Sequence, residues 1–369
     1  MQPTRFRPLV DTAGPFASVV VDDSHNTADA EKQFELRWRA VAEELGAQGA
    51  DDALIEAVHG GLSAGAQPVG RGGRAVVATR DGAQLVERLI RSPDIPTTRV
   101  SALPYLVPVI IHGIDDPPYL TVVVDHAGVD VTSHRNGRSE SITAEGDAYP
   151  VHKASGSEDA GYGDTQRTAE GARLKNIQEA AAVVTTTFDD VGPELVFVVG
   201  EVRSRADLVA NLPQRVAECV VEVNAGARGS IDEEALRHDI DTRLQLRRVD
   251  TIDEAAQRFQ AELHRESGLA TEGLAGVCAA LREGAVDTLM IGDIGAATVL
   301  VGDSPTLLAP TPEVLSELGA GGSATTVRAD EALPLAAVAV DANLVALDER
   351  VAPRDGVAAL LRYAPRTSA

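Results

Sequence analysis

From Tyr119 to Val199 the chain passes through three strand-like stretches, a long polar loop, a helix and a fourth apolar strand, and that order restricts the fold most. Tyr119-Leu120-Thr121-Val122-Val123-Val124-Asp125 is an apolar run suited to a strand buried on both faces. Val129–Ser133 and Ser139–Thr143 follow as a meander, with Asn136-Gly137 between them as the best short hairpin signal in the chain. A glycine-containing polar loop, about Gly146 to Asp164, then feeds a helix expected from Thr165 to about Phe188. Leu195-Val196-Phe197-Val198-Val199 reads as the next strand. Strands in succession, followed by helix–strand alternation, predict a mixed sheet flanked by helices.

The flanking segments also read as α/β. Phe16–Val21 is a strand candidate, and Phe34, Trp38, Val41 and Leu45 recur at spacings of four, three and four on a helix expected from about Ala28 to Leu45. A second helix, Asp51 to about Val58, precedes short strands at Ala75–Ala78, Gln84–Val86 and Tyr105–Ile111. His112-Gly113-Ile114-Asp115-Asp116-Pro117-Pro118 breaks the chain. Further on, Asn224–Gly229 reads as a linker, and Ser230 with Glu233 as a capping box. Thr251 and Glu254 repeat that pattern, so the stretch to Arg265 is two helices or one long helix with a joint. A helix at Thr271–Arg282, a strand at Val286–Ile291, a β segment at Ala297–Val301, a helix start at Thr311-Pro312, a helix near Glu331–Val340 and a closing β segment follow. At roughly 100–200 residues per domain, the length fits two or three domains. We expect an α/β protein of three domains: 1–115 (N-terminal, α/β), 116–226 (middle, mixed sheet) and 227–369 (C-terminal).

Charge restricts the partners. The net charge is −23, distributed as −4, −8 and −11 over residues 1–115, 116–228 and 229–369. Such a chain does not coat DNA or RNA non-specifically, because that binding is driven by counterion release from clustered Lys and Arg. Any RNA contact has to be local. No apolar run approaches the ~18 residues of a membrane span, and no apolar stretch follows Arg5 and Arg7 as in a signal peptide. The expected location is the cytoplasm, with no membrane partner. Two cysteines, Cys219 and Cys278, exclude a disulfide framework and a cysteine-based zinc site.

Several motifs fail on context. None of the three lysines follows a glycine, so there is no P-loop. Gly61-Leu62-Ser63-Ala64-Gly65 has the spacing of a nucleophile elbow but follows a helix where a strand is required. Gly70-Arg71-Gly72-Gly73-Arg74-Ala75 precedes a strand, the wrong order for a dinucleotide fingerprint, yet Arg71 and Arg74 could touch an RNA backbone. Asp22-Asp23-Ser24-His25 reads as a helix-capping turn before a metal site. Asp125, His126 and Asp130 would suit a metal-dependent nuclease, with solvated strand ends the plainer reading. No nucleophile, base and orienting group come together, so no catalytic residue, cofactor or metal ligand is assigned.

The loop after the meander carries His152 and Lys153, then Gly161-Tyr162-Gly163-Asp164-Thr165-Gln166-Arg167, with Arg173 and Lys175 on the helix behind it. Glycines free the backbone, an aromatic can stack on a base, and the cations can meet phosphates. This loop, the order of elements around it, Gly200-Glu201-Val202-Arg203-Ser204-Arg205 after the apolar strand, and the helix-into-strand segment Ala279–Ile291 resemble the archaeo-eukaryotic peptide-chain release factor and Pelota superfamily. The resemblance is closest to its bacterial branch, which includes the ribosome hibernation factor Balon and actinobacterial relatives. It covers about residues 117–369, and more weakly the N-terminal part.

The resemblance implies a release-factor-type middle domain and an α/β/α C-terminal domain that docks a translational GTPase, EF-Tu in bacteria. Release factors of this superfamily carry Gly-Gly-Gln at the loop tip, whereas here the motif is Gly161-Tyr162-Gly163, with Gln166 three residues on. The codon-reading Asn-Ile-Lys-Ser motif is absent, and Asn176-Ile177-Gln178 echoes it only by chance. The implied function is therefore a non-enzymatic stress or hibernation factor in the A site of the 70S ribosome. His152, Lys153, Gly161, Tyr162, Gly163, Gln166, Arg167 and Arg173 would meet 23S rRNA at the peptidyl-transferase centre, and Arg71 and Arg74 would meet 16S rRNA on the decoding side. The alternatives are a divergent peptidyl-tRNA hydrolase or rescue factor using Gln166, and a metal-dependent RNase using Asp125 and Asp130.

Overall fold

The computed structural model describes residues 1–24, 30–64, 72–90, 93, 96–114, 117–135, 138–146, 162–319 and 324–364. The chain divides into two units, Met1–Asp115 with Arg247–Ala369, and Asp116–Leu246. The α/β expectation holds in both.

After a 3-10 turn at Pro3–Phe6 and a short α1 (Arg7–Val10), the chain forms β1 (Phe16–Asp22), α2 (Ala30–Ala47), α3 (Asp52–Ser63), β2 (Gly73–Thr79), β3 (Gly82–Leu89), β4 (Thr97–Ser101) and α4 (Val107–His112). The strands make an antiparallel sheet in the order β3-β2-β1-β4. β1 is apolar at nearly every position because both of its faces are covered. Ala17, Val19 and Val21 pack with Val41, Leu45, Leu54 and Val58 of α2 and α3. Phe16 and Val20 face the other way, into a second core. Asp51 starts α3 by accepting a hydrogen bond from the Leu54 N–H at 3.0 Å. The apolar run Tyr105–Ile111, expected as a strand, instead supplies helix α4. Pro108 sits in the first turn, where its missing N–H leaves no bond unmade.

The middle unit contains β5 (Tyr119–Val124), β6 (Gly128–Arg135), β7 (Arg138–Glu145), α5 (Tyr162–Val191), β8 (Leu195–Gly200), α6 (Val202–Asn211), α7 (Gln214–Ala217), β9 (Val220–Val223), β10 (Gly226–Ala227) and β11 (Ser230–Ile231). Its sheet has the order β7-β6-β5-β8-β9 and is mixed: β5–β6 and β6–β7 are antiparallel, β5–β8 and β8–β9 parallel. Leu120, Val122, Val124, Val129 and Val131 pack on Ile177 and Val184 of α5 and Leu208 of α6. Val123, Phe197 and Val199 point to the opposite face, against Leu236, Ile240 and Leu244 of α8 (Glu233–His264). The turn residues Asn136 and Gly137 lie outside the described residues, but the register closes across them, Arg135 opposite Arg138.

Three expectations are corrected here. The stretch Asn224–Gly229 is no plain linker; it enters the hairpin β10–β11, with Gly226 at φ +99°. Ser230, expected as a helix cap, is a strand residue, and Asp232 caps α8 by accepting from the Ala235 N–H at 3.0 Å. α8 itself is unbroken. The Thr251 hydroxyl donates to the Arg247 carbonyl one turn back, at 3.0 Å, so it marks no second start.

The C-terminal part of the first unit adds β12 (Ala270–Glu272), α9 (Gly273–Arg282), β13 (Val286–Ile291), β14 (Thr298–Val301), β15 (Leu308–Ala309), α10 (Pro312–Glu317), β16 (Thr325–Arg328), α11 (Ala329–Ala339), β17 (Asn343–Ala346) and β18 (Val357–Leu361). A sheet of order β12-β18-β13-β17 and a smaller one of order β15-β14-β16 result. α11 is buried over most of its length. Its Leu333, Ala336, Ala337 and Val338 belong to the same core as Phe6, Leu9, Phe16, Leu106 and Ile110. Two arginines reinforce this union. Arg99 pairs with Asp330 at 3.0 Å and lies 3.5 Å over the Tyr105 ring. Arg248 donates to the Ile110 and Ile111 carbonyls at the end of α4, both at 2.7 Å. Among the described residues, no helix is long and apolar enough to cross a membrane.

Candidate RNA-facing site

The loop between β7 and α5 is framed by residues that hold its two ends. Gly146 leaves β7 directly against the buried Asn176 of α5. A Cβ at Gly146 would lie 2.1 Å from the Asn176 side-chain oxygen, so only glycine fits. Asn176 in turn donates to the His126 carbonyl at 3.2 Å, tying α5 to the β5–β6 turn. α5 begins at Tyr162, three residues earlier than expected, so Tyr162, Gly163, Gln166 and Arg167 all have helical backbone. His152, Lys153 and Gly161 lie outside the described residues.

Arg173 is largely buried and ion-paired with Asp207 of α6, and its Nε has no partner among the described residues. Arg203 on α6 pairs back to Glu170 on α5, so two crossed ion pairs join these helices just behind the loop. Lys175 is exposed and pairs with Glu179 one turn on, at 3.5 Å, an arrangement of little energetic weight.

On the strand side of the loop the carboxylates are already engaged. Arg228, from the β10–β11 turn, donates to both oxygens of Asp130, Nε to Oδ2 at 2.8 Å and an NH2 to Oδ1 at 3.1 Å. Asp125 and Glu145 each lie 3.6 Å from the same guanidinium. The Asp125 carboxylate also accepts from the Ala127 and Gly128 N–H groups, at 2.7 and 2.8 Å. The hydrogen bonds from Arg228 hold the Asp130 carboxyl below the ordinary carboxylate range. A divalent cation at Asp125 and Asp130 would have to displace this guanidinium. Among the described residues, no group of three metal-ligating side chains exists.

On the N-terminal side, Arg71 lies outside the described residues. Arg74 is buried: its Nε donates to Asp23 at 2.7 Å, and its NH1 to the Leu62 carbonyl at 3.1 Å and to the Ala64 carbonyl. A guanidinium committed in this way holds β2 to the end of α3 and presents nothing to a phosphate. Asp22 is likewise occupied, accepting from the Ser24 N–H at 3.0 Å and pairing with Arg37 at 3.0 Å; His25 is outside the described residues. Ser63, the serine of the elbow-like motif, is the last residue of α3, and Gly65 lies outside the described residues.

Sequence reasoning missed Arg228 and Arg205. Arg205 is buried, pairs with Glu222 at 3.0 Å and donates to the Gly200 and Val223 carbonyls at 2.8 and 3.2 Å. The available signal was an arginine inside an otherwise small-residue turn, Ala225-Gly226-Ala227-Arg228-Gly229. Its partners are about a hundred positions away in sequence, where no local pattern reaches.

Residues 118–265 match the family described as bacterial archaeo-eukaryotic release factor family 2. Over 365 residues the chain is 45% identical to the uncharacterized protein Rv2629 of Mycobacterium tuberculosis, covering 99% of this chain and 97% of that protein. Among solved structures, it is similar to archaeal Pelota in a ribosome-bound Pelota and ABCE1 assembly (15% identity, 99% of this chain and 94% of that one, TM-score 0.42). It is also similar to Archaeoglobus fulgidus Pelota (14% identity, 79% and 84%, TM-score 0.34). The chain belongs to the bacterial branch of the archaeo-eukaryotic release factor and Pelota superfamily.

Proposed function

We propose that this protein is a ribosome-binding factor of the hibernation or stress type, which occupies the A site of the 70S ribosome without releasing peptide. Family membership supports the ribosome-associated part of this reading. The loop chemistry carries the rest. Where release factors place Gly-Gly-Gln, this chain has Gly161-Tyr162-Gly163, and Gln166 lies in the second turn of α5. A glutamine on a helix lacks the backbone freedom of a glycine-flanked one, so water positioning at a peptidyl-tRNA ester is not its task. The loop, from His152 and Lys153 to Arg167, would fill the peptidyl-transferase side. Residues 1–115 would face the decoding side, and the acidic C-terminal domain would dock EF-Tu.

The test is co-sedimentation with purified 70S ribosomes at physiological salt, with and without EF-Tu, alongside a peptidyl-tRNA hydrolysis assay. Retention that is competed by A-site tRNA, with no peptide released, is the expected outcome. Failure to sediment with 70S overturns the reading. Peptide release that disappears in Gln166→Ala replaces it with the hydrolase or rescue reading.

A further inference from the structure

β4 is an edge strand of the N-terminal sheet, paired with β1 on one side. An open strand edge invites pairing with another chain, and proteins blunt such edges with lysine, proline or a bulge. β4, Thr97-Thr98-Arg99-Val100-Ser101, has neither lysine nor proline, and its register with β1 runs without a shift. Three of its five residues are β-branched, which favours a strand. Its one charge is already spent, because Arg99 pairs with Asp330 and lies over the Tyr105 ring. At the opposite edge of the sheet, β3 is met by the returning chain. There the Ile90 N–H donates to the His112 carbonyl at 2.8 Å and the Ile114 N–H to the Arg88 carbonyl at 3.2 Å.

On β4 the corresponding place is taken by a side chain. The Val100 N–H donates to Gln48 Oε1 at 2.8 Å, and Gln48 Nε2 donates to the Thr98 carbonyl at 3.0 Å. In a parallel ladder one residue donates to the carbonyl of residue i−1 on its neighbour and accepts from the N–H of residue i+1. The Gln48 carboxamide makes that same pair of bonds on either side of Arg99, so it stands in for the peptide groups of an added strand. Its placement is set locally. α2 ends at Ala47, and Gly49 at φ +90° turns the chain. The Gly49 N–H donates to the Gly46 carbonyl at 3.0 Å and the Ala50 N–H to the Leu45 carbonyl at 2.9 Å. Gln48 is thereby the last residue before the turn, and its Nε2 also donates to Glu44 Oε1 one turn back, at 2.7 Å. Gln48 is exposed, so hydrogen bonding and not burial holds it there.

We propose that Gln48 guards the edge of β4, its side-chain amide keeping the N-terminal sheet from being extended by the β4 strand of a second copy of this chain. Thr98 and Val100 turn their N–H and C=O groups away from β1. With the amide gone, a two-fold axis at Arg99 sets Thr98 of each copy opposite Val100 of the other, so the same edge serves both partners. The proposal is independent of the ribosomal reading. It is tested with the full chain as wild type, Q48M, Q48A and Q48M/T98P. Methionine keeps the length of the side chain without its amide, and proline at an edge position removes an N–H that an added strand needs. Sedimentation velocity over a range of protein concentrations reads self-association, and hydrogen exchange reads the Val100 amide. Q48M and Q48A should exchange Val100 about fivefold faster than wild type. Their apparent mass should rise with concentration towards about twice that of wild type, and Q48M/T98P should return to the wild-type mass. Q48M and Q48A that keep the wild-type mass at every concentration overturn the guard. So does a wild type that associates as strongly as Q48M, or an association of Q48M that Thr98→Pro leaves intact.

Discussion

Arg74 and Arg228 show how differently two glycine-flanked arginines can be used. Arg74 is sealed in the N-terminal segment with Asp23. Removing one member of a buried pair leaves the other charge uncompensated, at a cost of about 3–5 kcal/mol. Arg74→Met should therefore lower unfolding stability by that order, read in urea by the fluorescence of Trp38, the single tryptophan. Ribosome retention per folded molecule should not change; a selective loss of retention would restore Arg74 as an RNA contact. Arg228 acts on charge at the surface of the middle unit. Because its hydrogen bonds depress the Asp130 carboxyl in the folded state, their contribution is full above the unfolded carboxylate range. It is lost as pH falls through the folded value, below about pH 4. Asp130→Asn should flatten this acid limb of a stability-against-pH curve measured by urea unfolding. Superimposable curves for variant and wild type would refute the linkage.

The elements most legible in the sequence are those with strong apolar period. Phe34, Trp38, Val41 and Leu45 are one face of α2, and the unbroken apolar runs of β5 and β8 supply both layers of the middle unit. Short apolar runs were less decisive. Tyr105–Ile111 has strand-like composition, yet Pro108 fits a helix's first turn and the run is buried by tertiary contacts, so α4 forms. Ser230 has the right spacing to Glu233 for a cap, but it is spent in the β10–β11 pair, and Asp232 caps instead. That small hairpin depends on Gly226, at φ +99°, where a Cβ would lie 2.3 Å from the Ser230 carbonyl oxygen. Gly226→Ala should cost about 1–3 kcal/mol, read by far-ultraviolet circular dichroism in urea. A neutral result would mean that the turn relaxes freely and does not fix the position of Arg228.

At the scale of the molecule, the chain's two ends share one core. Leu333 on α11 packs in the same cluster as Phe6, Phe16 and Ile110. Leu333→Ala should cost about 2–5 kcal/mol, and Trp38, in the N-terminal segment, should report the shift. A Trp38 transition that does not move would show that the N-terminal segment unfolds on its own. The amino-acid sequence by itself determined the α/β class and the order of strands and helices in the middle unit. Those are properties of local period and residue identity. The tertiary structure alone decided that Arg74 is sealed with Asp23, that Asp125 and Asp130 are engaged by Arg228, that residues 1–115 and 247–369 share a core, and that Arg135 stands opposite Arg138. Each depends on residues brought together by folding, and a pairing across a core or a sheet leaves no local pattern from which it could be read.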